Sequence, residues 1–197
     1  MTNPTDVELV LASTSRYRRE VLARLGLAFR SVAPGVDESR RSGEPPAELA
    51  ARLALAKARA VAVSCPNALV IGSDQVAEFD GRILGKPGTA DAARAQLAAS
   101  SGQRVTFHTA LCLLDTRDGR SDIVVDATHV VFRILRADEI ARYVDTEQPL
   151  DCAGSFKAEG LGISLFERIE SDDPTALIGL PLIALSRLLR HAGLRLP

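Results

Sequence analysis

The stretch ALVIGSD at 68–74 decides the fold. Four apolar residues, too few for a helix, lead into Gly72-Ser73-Asp74. Such a run is the pattern of a buried strand that opens into a functional loop, as in sheets covered by helices on both faces. Upstream, residues 47–63 place Leu49, Leu53, Ala56 and Ala60 at helical spacing, which predicts a long helix entering this strand. Downstream, 76–79 and 82–84 flank Asp80-Gly81, the dipeptide of a tight hairpin turn.

Working outward, residues 8–12 read as a second buried strand. A Ser/Thr/Arg segment and a helix over about 18–25 follow it, stopped by Gly26. Residues 27–32 suit a strand, and the polar, turn-rich 33–46 a loop carrying Asp37 and Glu38. Thr89 can cap a helix running to about Ser100, with Gly102 beyond its end. Alternation at Val105, Phe107, Thr109, Leu111 and Leu113, and again at Ile123, Val125 and Ala127, predicts a long hairpin turning near Asp118-Gly119. A helix over 138–145, a glycine-rich loop over 154–162, a strand over 163–169 and a last helix from Pro181 through Leu189 complete the order. The expected fold is α/β: a mixed, twisted sheet flanked by helices with a central substrate groove, in one domain spanning 1–197.

Bulk properties narrow the function classes. The 197 residues are 46% hydrophobic and 25% charged, as in a globular protein, and the formal charge of −1 gives no support to a large nucleic-acid or membrane surface. Cys65, Cys112 and Cys152 are odd in number and lack metal-ligand spacing, which fits reduced thiols in the cytoplasm. No secretory leader is expected at the N-terminus, and the longest apolar stretch, 177–185, is too short to span a bilayer.

Three constellations carry chemistry. Ser13-Thr14-Ser15-Arg16-Tyr17-Arg18-Arg19 lies between a predicted strand and a predicted helix. It reads either as a capping serine with a solvated basic turn or as a phosphate cradle. Three arginines at the positive end of a helix are locally unfavourable, which favours the bound anion. Asp74 at a strand end can hold a cation, orient a water or simply cap a turn, and Glu38 offers a second carboxylate or is a plain loop acid. Lys57 shares a helix face with apolar side chains and, alone, reads as a snorkelling lysine. Lys86 alone reads as a turn lysine. The spacing from Gly81 to Gly85-Lys86 fails the Walker A pattern, which argues against a P-loop kinase. His108, His129 and His191 are scattered, and no serine has a hydrolase-elbow setting.

Taken together, LASTSRYRR at 11–19, VDES at 36–39, KA at 57–58, IGSDQV at 71–76, ILGKP at 83–87, FKAEGLGI at 156–163 and LIGLPL at 177–182 resemble the Maf family of nucleotide pyrophosphatases. The matches span nearly the whole chain in the expected order. The stretches around 71–76, 152–167 and 177–185 are most similar to the branch associated with 7-methyl-GTP. The resemblance implies a fold related to the inosine triphosphate pyrophosphatases. It also implies cleavage of a nucleoside triphosphate between its α and β phosphates with a divalent cation, Mg2+ or Mn2+. Carried over by position, Asp74 is the general base and a metal ligand, Glu38 an acid near the metal, and Ser13, Arg18, Lys57 and Lys86 phosphate-binding groups. Tyr17, Gln75 and Glu159 fill the positions that choose the base. Arg16 departs from the family's usual proline, which should alter the rigidity of the loop or add a phosphate contact. The same chemistry on dTTP, UTP or another modified nucleotide is the nearest alternative, and a nucleotide-binding regulator of cell division a more distant one. The resemblance is compatible with a homodimer.

Overall fold

The computed structural model describes residues 7–196. Its strands are β1 (Glu8–Leu11), β2 (Arg30–Ser31), β3 (Ala68–Phe79), β4 (Arg82–Leu84), β5 (Arg104–Asp115), β6 (Ser121–Phe132) and β7 (Phe166–Glu170). The helices are α1 (Arg16–Ala23), α2 (Pro46–Ala62), α3 (Ala90–Ser100), α4 (Ala137–Glu147) and α5 (Leu182–His191). The strands pair in the order β2-β1-β3-β5-β6-β7, with β4 on β3, and both parallel and antiparallel pairs occur. This is the mixed α/β sheet that the sequence predicts. Contacts divide the chain into two compact units.

The first unit holds the residues up to Asp74, Thr109–Asp126 and those from Asp173 onward. Here β1 runs parallel to both β2 and the opening of β3, in the register Leu9↔Leu69 and Leu11↔Ile71. Side chains alternate across a strand, so Leu9, Leu11, Leu69 and Ile71 share one face. They pack with Val21 and Leu22 of α1 and Leu185 and Leu189 of α5. Each such fully buried side chain is worth about 1.5–3 kcal/mol relative to exposure. At Gly72, a Cβ would stand 2.1 Å from the carbonyl oxygen of Ala54 and 2.9 Å from the amide nitrogen of Ala58, so α2 rests directly on the β3 backbone.

The second unit holds Gln75–His108 and Ala127–Asp172. Asp80 (φ 50°) and Gly81 (φ 71°) both take the left-handed conformation that a two-residue turn between β3 and β4 demands. Thr89 caps α3, accepting from the Ala92 amide at 3.2 Å. Phe107, Phe132, Phe156 and Phe166 form a chain of edge-to-face contacts, with ring centroids 4.7–5.7 Å apart. Gly154 (φ 75°) lies against it, where a Cβ would meet Phe107 at 2.9 Å.

Three expectations are corrected. Gly72-Ser73-Asp74 does not open a loop: β3 continues through it to Phe79, because Gly72 is required for the close approach of α2 and not for a turn. The strand expected from 163 begins only at Phe166, after a 3-10 segment over Leu161–Leu165. Only Arg30–Ser31 of the 27–32 stretch pairs as a strand.

Candidate active site

In the first unit, Asp74 and Lys57 are buried together, 7% and 5% exposed. Strand β3 fixes the carboxylate and α2 the ammonium. Lys57 Nζ stands 2.6 Å from Asp74 Oδ1 and 2.6 Å from Oε1 of Glu38, whose side chain is 56% exposed. Lys57 is therefore not a snorkelling lysine. Its head group turns inward, and the two acids offset the cost of burying it. Lys57 Nζ donates to Oδ1 of Asp74, which leaves Oδ2 as the carboxylate oxygen not engaged by the ammonium.

Ser15 caps α1, accepting from the Arg18 amide at 3.4 Å. Buried Ser13 accepts from the Ser15 amide at 3.1 Å. Arg18 donates from Nε to the Gly179 carbonyl at 2.9 Å, and its Nη1 is 3.5 Å from Ser13 Oγ. Burial pulls the Arg18 guanidinium below its ordinary value, while the charges of Asp74 and Glu38 act in the opposite direction. It stays cationic at any ordinary pH. A cation beside a helix N-terminus is the chemistry suited to an anion. Ser13, Arg18, Lys57, Asp74 and Glu38 thus meet in one unit.

Tyr17 is also on α1 and partly buried. The Arg16 guanidinium carbon lies 4.7 Å from its ring centroid, and Arg16 Nη2 donates to the Tyr17 hydroxyl at 2.8 Å. The departure from proline at 16 therefore places a cation on the ring expected to meet the base.

Gln75, Lys86 and Glu159 belong to the second unit. Gln75 is partly buried on β3, Lys86 is exposed after β4, and Glu159 is exposed on the loop following Phe156. Two residues of the first unit lie within the quoted stretches but carry no role in the sequence reading. Ser73 is wholly buried and donates through Oγ to the carbonyls of Ala110 (2.8 Å) and Gly179 (2.9 Å). Gly179, at φ 114°, offers one carbonyl to both Ser73 and Arg18. Neither has a sequence signal beyond its place next to Asp74 or before Leu180-Pro181.

Among the described residues, no group of three or more histidine, cysteine or carboxylate side chains is arranged to hold a metal. Asp74 and Glu38 supply two hard oxygen donors on one cation, the Lys57 ammonium. Magnesium-type sites commonly use one or two carboxylates and take remaining oxygens from phosphate and water, so this donor set fits such an ion. No described helix is long and apolar enough to cross a membrane.

A family model described as "Maf-like protein" matches residues 8–192. A protein of Xanthomonas oryzae pv. oryzae named 7-methyl-GTP pyrophosphatase is 60% identical over 189 residues, covering 96% of this chain and 98% of the relative. One of Alcanivorax borkumensis with the same name is 54% identical over 197 residues and covers all of both chains. Among solved structures, the Staphylococcus aureus Ham1 protein superposes with a TM-score of 0.51 at 14% identity, over 93% of this chain and 98% of that one, a likeness of fold alone.

Proposed function

The chain belongs to the Maf family, and from that premise we propose that it hydrolyses 7-methyl-GTP to 7-methyl-GMP and pyrophosphate. The observation that carries the chemistry is the buried Lys57 held by Asp74 and Glu38, in one unit with Arg18. The choice of base rests on the relatives' name.

In this reading Arg18, Ser13 and the first amides of α1 bind phosphate oxygens. Lys57 fixes Asp74 through Oδ1, so that Oδ2 takes a proton from the attacking water. The water oxygen forms a bond to the α-phosphorus as the bond to the bridging oxygen breaks, and pyrophosphate departs with that oxygen. Cationic side chains neutralise the charge that accumulates there, and Lys86 is assigned to this task. A divalent cation held by Asp74 and Glu38 would add charge neutralisation and lower the pKa of a bound water.

Methylation at N7 makes guanine cationic. Tyr17 is suited to stack on such a ring, and Glu159 to accept from the N1–H and amino edge. Gln75 completes the base-reading set.

The test is pyrophosphate release by the purified protein with magnesium or manganese, across 7-methyl-GTP, GTP, dTTP, UTP, CTP and ATP. Preference for 7-methyl-GTP is expected. Preference for another base would overturn the substrate, and no turnover with any would overturn the activity in favour of a nucleotide-binding regulator.

A further inference from the structure

In the second unit, the loop that carries Glu159 is tied to one helix end. The Lys157 amide donates to the hydroxyl of buried Tyr143 at 3.0 Å, and Lys157 Nζ donates to the Glu147 carbonyl at 2.5 Å. Past the exposed residue, the Leu161 amide donates to Glu147 Oε1 at 3.2 Å. Glu147 Oε2 lies 3.9 Å from Lys157 Nζ, and the two side chains are only 19% and 14% exposed. A Cβ on Gly160 would stand 2.9 Å from Glu147 Oε1, and one on Gly162 would stand 2.3 Å from the Lys157 carbonyl. The segment 157–162 is therefore folded back on itself around a single carboxylate. Glu159 is the exposed side chain at its turn. An exposed carboxylate on an untied loop would lose much of its interaction with a ligand to the entropy of ordering it. The ties on both sides remove that cost in advance. Burial also raises the Tyr143 phenol well above its ordinary range, so its hydroxyl remains a neutral partner for the loop amide.

We propose that Glu147, together with Tyr143, is a positioning residue for base selection: the Glu147 carboxylate and the Tyr143 hydroxyl hold the 157–161 loop so that Glu159 presents an ordered acceptor to the donor edge of a cationic purine. This rests on the reading of Glu159 given above. Glu147 touches no substrate and acts through Glu159.

The experiment measures kcat/KM of Glu147→Ala, Glu147→Gln, Tyr143→Phe, Glu159→Gln and the Glu147→Ala/Glu159→Gln double variant with 7-methyl-GTP and with GTP. Glu147→Ala is expected to lower the preference for the methylated base about ten-fold, mostly through KM, with kcat on GTP within about three-fold of the parent. Glu147→Gln keeps an oxygen for the Leu161 amide and should retain most of the preference. The double variant should be no less selective than Glu159→Gln alone, because residues acting through one contact are not additive. Tyr143→Phe removes one hydroxyl and carries the test should Glu147→Ala fail to fold, with a loss of preference of about three-fold or more. Wild-type preference in the Glu147 and Tyr143 variants, alongside a loss in Glu159→Gln, would overturn the positioning role while leaving the Glu159 reading intact. Wild-type preference in Glu159→Gln would overturn both.

Discussion

The Lys57 ammonium and the Asp74 carboxylate face each other at 2.6 Å in a nearly dry setting, one from a helix and one from a strand. Their removal should have unequal consequences. Asp74→Asn leaves Lys57 paired with Glu38, so it should nearly abolish pyrophosphate release while lowering Tm by only a few degrees. Lys57→Met strands a buried carboxylate, a change that costs roughly 3–5 kcal/mol. Thermal melts of the two single variants and the double variant check this. The double should melt above Lys57→Met, and strict additivity would contradict the coupling.

Arg18 depends on a carbonyl it cannot choose. Gly179 sits at φ 114°, and a Cβ there would lie 3.4 Å from Arg18 Nε. Gly179→Ala should cost about 1–3 kcal/mol in backbone strain and displace the guanidinium. Its kinetic mark should be a raised KM shared by every triphosphate, whatever the base. Steady-state kinetics on 7-methyl-GTP and GTP read this directly, and a change confined to one base would refute it.

Arg16 competes for the face of Tyr17. A cation over a ring that solvent still reaches, as at the partly buried Tyr17, is worth about 0.5–1 kcal/mol. Arg16→Ala should therefore raise the preference for 7-methyl-GTP over GTP by roughly two- to five-fold on that basis. Competition experiments with both nucleotides would check it, and an unchanged or reduced ratio would show that Arg16 does not occupy the stacking face.

Acid should weaken the tie between Glu44 of the polar loop and Arg52 of α2. The hydrogen bonds from Arg52 hold Glu44 down to about 2, against an ordinary value of 4.5. A carboxylate depressed in the folded state contributes stability that is fully present above its unfolded value and lost as pH falls through the folded one. The Tm gap between the parent and Glu44→Gln should thus be constant above about 5, begin to close near 4.5 and largely vanish near 2. A gap that widens on acidification would reverse the assignment.

Much of this was legible in the chain. Asp80-Gly81 specifies its hairpin because both residues tolerate left-handed φ. Thr89 declares α3 through its hydroxyl. What was not legible depends on contacts distant in sequence. Gly72-Ser73-Asp74 has the composition of a turn, yet it is strand, because the backbone of α2 occupies the space a side chain would need. Lys57 on an apolar helix face looks like a snorkelling residue until Glu38 and Asp74 arrive at its ammonium. Gly179 and Glu147 act through a carbonyl and a loop amide, and neither leaves a periodicity or spacing in the sequence.

The seat of α2 on Gly72 fixes how this enzyme can change over evolutionary time. Elsewhere in the core, large side chains exchange volume with their neighbours and absorb substitutions. Between Ala54, Ala58 and Gly72 there is no such layer, since backbone meets backbone. Lys57 precedes Ala58 by one position, and each residue turns a helix by about 100°. A Cβ at Gly72 forces the helix or the strand to shift, and Lys57 stands one residue from that contact. Drift at 54, 58 and 72 therefore strains the packing and the Lys57–Asp74 pair together, so these three small residues are held by the same constraint as the site although none of them carries a reactive atom.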